Sequence, residues 1–308
     1  MHPDIIHDLD RLGGLARVSQ LATLGYGRRQ RDYAIASGSI VRVCHGWLGT
    51  LRASRAAVAA VLHGGKLTGP TALASYAVWD ELDRRIHVHV PESGHGITHR
   101  ALTPLREFVP ELYPREGVVR HWLTELCPDP WGVPWRVSVV DALICAAHQL
   151  SDEQFLACLE SALHTRMLSR ATLPEVFAAL PRRFERLRPL IAAAESGLET
   201  LARLRFSEFV QDVGIQVWID GIARGGGRGR VDILLDGWLV IELDGDDFHD
   251  PAEDRRRNGV LVRAGYRCHR FGYHDVISRW DEVEATVREL LQYPPADVRA
   301  VHRRAKQR

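Results

Sequence analysis

The stretch Val231–Gly245, VDILLDGWLVIELDG, decides how the last third of this chain is read. It contains two apolar runs, VDILL and WLVIELD, joined at Asp236-Gly237. Runs of this length with a turn dipeptide between them predict a hairpin, with strands at Arg230–Leu235 and Trp238–Asp244. Each run carries a carboxylate in its apolar interior: Asp232 in the first, Glu242 in the second. An ionised carboxylate there is costly unless it is paired or holds a metal. Strand positions alternate faces, so Trp238, Val240, Glu242 and Asp244 share one face and Leu239, Ile241 and Leu243 the other.

The turn decides whether Asp232 joins Glu242. A two-residue type I′ loop would pair Leu235 with Trp238 and put the two acids on opposite faces. A three-residue loop, Leu235-Asp236-Gly237, with Gly237 left-handed in a bulge, pairs Leu234 with Trp238. Asp232 then lies opposite Val240, on the Glu242 face. A shared metal site needs this register or another of the same parity, and we expect it. Two hard oxygen ligands so placed suit Mg2+ or Mn2+. Such an ion activates water and stabilises charge on a phosphodiester.

Working outward, the segment reads helix, three strands, helix, strand, helix. The helices are expected at Glu195–Asp212, Ala252–Ala264 and Trp280–Leu291, and further strands at Ile215–Asp220 and Tyr266–Phe271. This is a mixed sheet flanked by helices. Glu199 begins the first helix in Ser196-x-x-Glu199, a capping-box pattern, so a cap and an active-site acid are both open for it. His249, in the loop GDDFHD, is a candidate proton donor. Arg224, Arg228 and Arg230 lie in a Gly-rich loop before the Asp232 strand, and Arg255, Arg256 and Arg257 open the next helix. These arginines are candidate DNA phosphate contacts.

The residues Ser196-x-x-Glu199, Val231-Asp232, Val240-Ile241-Glu242-Leu243-Asp244-Gly245 and Phe248-His249 resemble the PD-(D/E)XK nuclease superfamily. The likeness is to the family related to very-short-patch mismatch repair endonucleases. It extends through Asp254-x-x-Arg257-Asn258-x-x-Leu261, Gly265-Tyr266-Arg267 and Arg270-Phe271-x-x-x-Asp275. The resemblance implies a restriction-endonuclease-like fold. It also implies a metal held by Asp232, Glu242 and Glu199, with Asp244 and His249 assisting. The superfamily's Lys two after the Glu is replaced here by Asp244. The missing positive charge is expected from Arg257 or His249.

Upstream, residues 1–54 hold 7 basic and 4 acidic side chains. Apolar spacing predicts short helices in IIHDLDRL and ARVSQLATLG, then a basic helix Arg28–Ala36, then two small strands about His45-Gly46. This order makes a winged helix-turn-helix. Arg28, Arg29 and Arg31 of its recognition helix would lie near DNA phosphates. The run Leu15–Gly49, with LTGPTALASYAVWD, IHVHVPE and the helical segment Val137–Ser169, resembles abortive-infection, type IV antitoxin-like proteins. Trp47 stands where their pattern has Tyr. That resemblance adds a protein partner to DNA as a candidate ligand.

The middle segment, residues 55–190, reads as α+β. Its helices are expected at Ser54–His63, Gly69–Trp79, Val139–Leu150, Asp152–His164 and Leu173–Leu180, with a strand at Ile86–Val90. His87, His89, His95 and His99 read as a solvated strand edge and loop, since no Cys or carboxylate stands at ligand spacing. The organisation is therefore an α+β, multidomain chain: a winged helix (1–54), an α+β domain (55–190), an endonuclease-like domain (191–293) and a basic tail (294–308).

Composition sets bounds on these readings. Of 40 basic residues only Lys66 and Lys306 are lysine, and the last 114 residues hold 18 basic against 20 acidic side chains. A strongly basic nucleic-acid footprint is absent, so binding must come from local patches. Scattered cysteines without a CxxC pair argue for free thiols and a cytoplasmic setting. No apolar run approaches the roughly 18 residues of a membrane span. The expected function is a divalent-metal DNA endonuclease with a DNA-binding or regulatory winged helix. The alternative is a non-catalytic DNA-binding regulator on a decayed nuclease scaffold.

Overall fold

A computed structural model describes residues 4–80, 85–91, 117–223, 226–244 and 251–295; the side chains of residues 251–254 are not included. His249, Arg224, His95, His99 and the basic tail from residue 296 lie outside the described residues. The protein is mixed α/β, with three small sheets among the described residues. It divides into two compact units, residues 1–151 with 165–185, and residues 152–164 with 186–308.

The first unit begins with α1 (Ile5–Arg11), β1 (Leu15–Arg17), α2 (Val18–Thr23), α3 (Arg28–Ala36), β2 (Val41–Cys44) and β3 (Trp47–Gly49). Helix α3 has the expected limits. The hairpin closes at His45-Gly46, with Cys44 opposite Trp47 and Gly46 at φ +77°. The helix expected over ARVSQLATLG starts only at Val18. The residues before it form β1, which pairs antiparallel with β3 and gives the order β1-β3-β2. Leu9, Leu21, Tyr26, Ala34, Ile40 and Leu48 close a small core beneath it.

The unit continues through α4 (Arg55–Leu62), β4 (Lys66–Leu67), α5 (Gly69–Ala74), β5 (Ile86–His89), β6 (Val118–His121), α6 (Val139–Ala147) and α8 (Leu173–Ala179). Helix α5 ends before the expected Trp79, with Ala77 at φ +55° just beyond it. Strand β5 is central in the order β4-β5-β6, so the expectation of a solvated histidine edge fails. His87 and His89 are buried. His87 Nδ1 lies 2.9 Å from His121 Nε2, and His89 Nε2 lies 3.2 Å from Glu125 Oε1.

The second unit contains α7 (Asp152–His164), α9 (Gly197–Phe206), β7 (Val213–Ile219), β8 (Gly229–Leu235), β9 (Leu239–Asp244), α10 (Pro251–Arg263), β10 (Arg267–Gly272), α11 (Tyr273–Ser278) and α12 (Trp280–Leu291). Helix α7 falls between residues 55 and 190 in sequence but packs in this unit. Its buried Glu160 accepts from Arg203 at 2.9 Å and from Thr200 at 2.7 Å, both on α9. The short α11 is capped by Asp275, which accepts the Gly272 N–H at 2.8 Å. The sheet runs β10-β9-β8-β7, parallel between β10 and β9 and antiparallel elsewhere. Val231, Ile233, Leu235, Leu239 and Ile241 are fully buried and build its core face.

No helix among the described residues is long and apolar enough to cross a membrane.

Candidate active site

The β8–β9 hairpin has the expected odd-length loop, shifted by one residue. Leu235 pairs with Leu239, Leu234 with Val240 and Ile233 with Ile241. The loop is therefore Asp236-Gly237-Trp238, with Asp236 at φ +46° and Gly237 at φ +72°. Trp238 belongs to the turn, and its N–H donates to the Leu235 carbonyl. Carrying this register one step further puts Asp232 opposite Glu242 rather than the expected Val240. Parity is preserved, so Asp232, Glu242 and Asp244 lie on one face.

The backbone ladder stops short of that step. Asp232 Oδ2 accepts the Leu243 N–H at 2.8 Å, so the carboxylate takes the place of a main-chain acceptor. A strand N–H must find a partner when buried, and Asp232 supplies it while keeping its second oxygen clear. Among the described residues, neither Asp232 Oδ1 nor Glu242 Oε2 takes a hydrogen bond.

The two neighbouring strands complete a row. In the parallel pairing of β10 with β9, Arg270 is the partner of Glu242. On β7, pairing with β8 runs through Ile215–Ile233, skips Gln216, and resumes at Val217–Val231. Gln216 therefore stands at the level of Asp232, with its backbone at φ +51°. Gln216, Asp232, Glu242 and Arg270 thus cross the whole sheet in one line.

Helices supply the surroundings. Ser196 caps α9 through its hydroxyl, which accepts the Glu199 N–H. Glu199 Oε1 accepts from the Ser196 hydroxyl at 3.1 Å. Its Oε2 accepts from the Glu195 N–H at 3.1 Å and from Gln216 Nε2 at 2.5 Å. Glu199 is thus a cap with both oxygens engaged, yet it is buried close enough to Asp232 to feel its charge. From α10, Arg257 Nη2 reaches Glu242 Oε1 at 3.0 Å and also donates to the Arg230 carbonyl. Arg270 Nη1 lies 3.2 Å from Asp244 Oδ1.

Burial raises the pKa of all three acids. Glu242 is pushed from 4.5 to about 7, first by desolvation and then by the Asp232 charge, against the pull of Arg257 and Arg270. Desolvation also raises Asp232, although the Leu243 N–H and Arg257 oppose it. Glu199 rises by desolvation, opposed by its hydrogen bonds from Gln216 and the Glu195 N–H. Adjacent buried carboxylates with raised pKa values mark a place where extra positive charge is favourable.

Among the described residues, no three His, Cys, Asp or Glu side chains come together to hold a metal ion. Among the described residues, Asp232 and Glu242 are the candidate ligands that stand side by side, with Glu199 nearby. Their hard oxygen chemistry fits a small divalent cation that keeps much of its water.

Residue order points to Asp232, Glu242, Glu199, Asp244 and Arg257, and the fold brings them together. It gives no hint of Gln216, whose position in an alternating strand shows no sign of a left-handed backbone. It also gives Arg270 no role, since that role depends on β10 pairing parallel with β9.

The candidate DNA contacts are spread over both units. Arg28 and Arg29 are exposed on α3, while Arg31 turns inward and donates to the Tyr26 carbonyl. Arg255 is exposed on α10. Arg228 pairs with Asp220 at 3.1 Å and Arg230 with Glu195 at 2.6 Å. Compared with models of known families and with curated proteins, the chain matches none.

Proposed function

We propose that this protein is a divalent-metal-dependent DNA endonuclease whose catalytic domain has the restriction-endonuclease-like PD-(D/E)XK fold. One observation carries the reading: a half-buried Asp232 and a buried Glu242, side by side on one sheet face, are backed by Arg257 and Arg270. Asp232 and Glu242 would hold Mg2+ or Mn2+, and Glu199 steadies Gln216 at the level of Asp232. Bound there, the ion supplies an activated water and charge stabilisation at the scissile phosphate.

The chain's own groups do the rest. Arg257, paired with Glu242, would supply the permanent positive charge that the Lys of the superfamily motif supplies. Arg270 neutralises Asp244, so the residue at that motif position adds little net repulsion toward a phosphate. Exposed Arg28 and Arg29 on α3 fit a winged helix that docks DNA through phosphate contacts. The sheet order β1-β3-β2 and the hairpin after α3 support that assignment.

The ion pairs Arg257–Glu242 and Arg270–Asp244 favour a second reading, a DNA-binding regulator whose site is sealed by its own arginines. A cleavage assay separates the two. Plasmid, mismatched and single-stranded DNA are incubated with Mg2+ or Mn2+, with EDTA as control. Cutting that disappears with EDTA, Asp232→Asn and Glu242→Gln supports the nuclease. DNA binding without any cutting supports the regulator.

A further inference from the structure

Trp218 is 55% exposed on β7, the edge strand of the four-stranded sheet. It is the cross-strand partner of Arg230, two residues before Asp232. Side chains two apart on a strand share a face, about 7 Å from one another. Pairing has the same register on both sides of Gln216, so the alternation holds across that residue. The indole therefore stands on the Asp232–Glu242 face, about a nucleotide's length from the acids.

Two guanidinium groups flank it, Arg228 at 5.8 Å and Arg230 at 5.7 Å from the ring centroid. Each has an acidic partner, Asp220 and Glu195, but both pairs are substantially exposed. Exposed pairs of this kind are weak and exchange readily for a phosphate. An uncovered indole between two arginines, on the same face as a phosphodiester site, is the arrangement that binds single-stranded nucleic acid. Stacked bases of an intact duplex do not offer a free face, and presenting one costs unstacking energy.

We infer that Trp218, with Arg228 and Arg230, stacks an unpaired base of a DNA strand next to the acidic row, so that the substrate is single-stranded or locally unpaired DNA. The inference deepens the nuclease reading and rests on it for the choice of DNA as ligand. Its test is separable because it reads binding without cleavage.

Fluorescently labelled single-stranded and duplex oligonucleotides of one sequence are titrated with the full chain in EDTA, using anisotropy. Trp218→Ala should weaken single-strand binding by about tenfold or more, the value of one base stack. Duplex binding should stay within about twofold, a change small against a stacking contribution of this size. Trp218→Phe, which keeps an aromatic face and guards against a folding defect in the alanine variant, should retain most of the affinity. Equal single-strand binding by Trp218→Ala and wild type overturns the inference. So does a parallel loss on both DNAs, or binding to neither, which would leave Trp218 as a face for another class of partner. A wild type that binds single strands through Trp218 but cuts nothing would sink the nuclease reading and keep this one. Cutting that depends on Asp232 but not on Trp218 would do the reverse.

Discussion

Arg257 Nη2 lies 3.0 Å from Glu242 Oε1 and also holds the Arg230 carbonyl, so one guanidinium ties α10 to both central strands. Its Nε is buried without a partner among the described residues. Leaving such a donor unmet costs about 1–3 kcal/mol. The interaction therefore serves the charge on Glu242 more than the stability of the fold. Removing the cation should raise the Glu242 pKa further, because an adjacent Arg lowers a carboxyl by about one unit or more. In metal-free Arg257→Met the Glu242 titration, followed by carboxyl-carbon NMR, should move to higher pH by about that amount. Arg257→Lys should move it less. A Glu242 titration unchanged in Arg257→Met would remove the charge role.

Glu242 makes a second prediction, on stability. Its folded pKa, about 7, lies above its ordinary 4.5. The folded state thus prefers the neutral acid. The stability linked to this group is complete below about pH 4.5 and is lost as pH rises through 7. Glu242→Gln keeps the neutral form at every pH. Without metal it should be more stable than wild type at pH 8, by up to about 3 kcal/mol, and no more stable near pH 4.5. Denaturant midpoints at the two pH values decide this. A constant difference between the two proteins would mean that Glu242 does not titrate in this range.

A third prediction concerns Gln216. A non-glycine residue in the left-handed region costs about 1–2 kcal/mol, and a β-branched residue there costs more. Gln216→Val also loses the hydrogen bond to Glu199 and should lower stability by about 2 kcal/mol or more. Gln216→Gly loses the same bond but relieves the backbone, so it should stay within about 1 kcal/mol of wild type. Urea unfolding that ranks valine above glycine would contradict the left-handed backbone.

The arginines of α3 make the fourth. Arg28 and Arg29 are exposed on that helix. Removing one phosphate-binding cation should flatten the salt dependence of DNA binding by about 0.9 in slope. Arg28→Ala with Arg29→Ala should therefore reduce the slope by about 2. Arg31→Ala should instead cost stability and leave the slope unchanged, because its guanidinium donates to the Tyr26 carbonyl inside the first unit. An unaltered slope in the double variant would assign this face to solvent or to a protein partner.

Much of this site is legible from residue order. Acids inside apolar runs are rare enough to announce themselves, and the Asp-Gly turn limits the hairpin to two parities. The limits of α3, α7 and α12 follow from apolar spacing and local stop signals. Elsewhere local signals mislead: β1 is three residues long and becomes a strand only by pairing with β3. His87 and His89 look solvated because their pattern suits an edge, yet β5 lies between β4 and β6.

Residue order alone places Asp232 and Glu242 within buried strands, since alternation and apolar neighbours act over a few residues. It also places a hairpin between them at Gly237. The register that sets Asp232 level with Glu242 comes only from tertiary packing. So does the meeting of Arg257 from a helix, Arg270 from a parallel strand and Gln216 from an edge strand in the same row. Those meetings join residues far apart in the chain, and their energies come from packing and charge in three dimensions. No spacing along VDILLDGWLVIELDG encodes them.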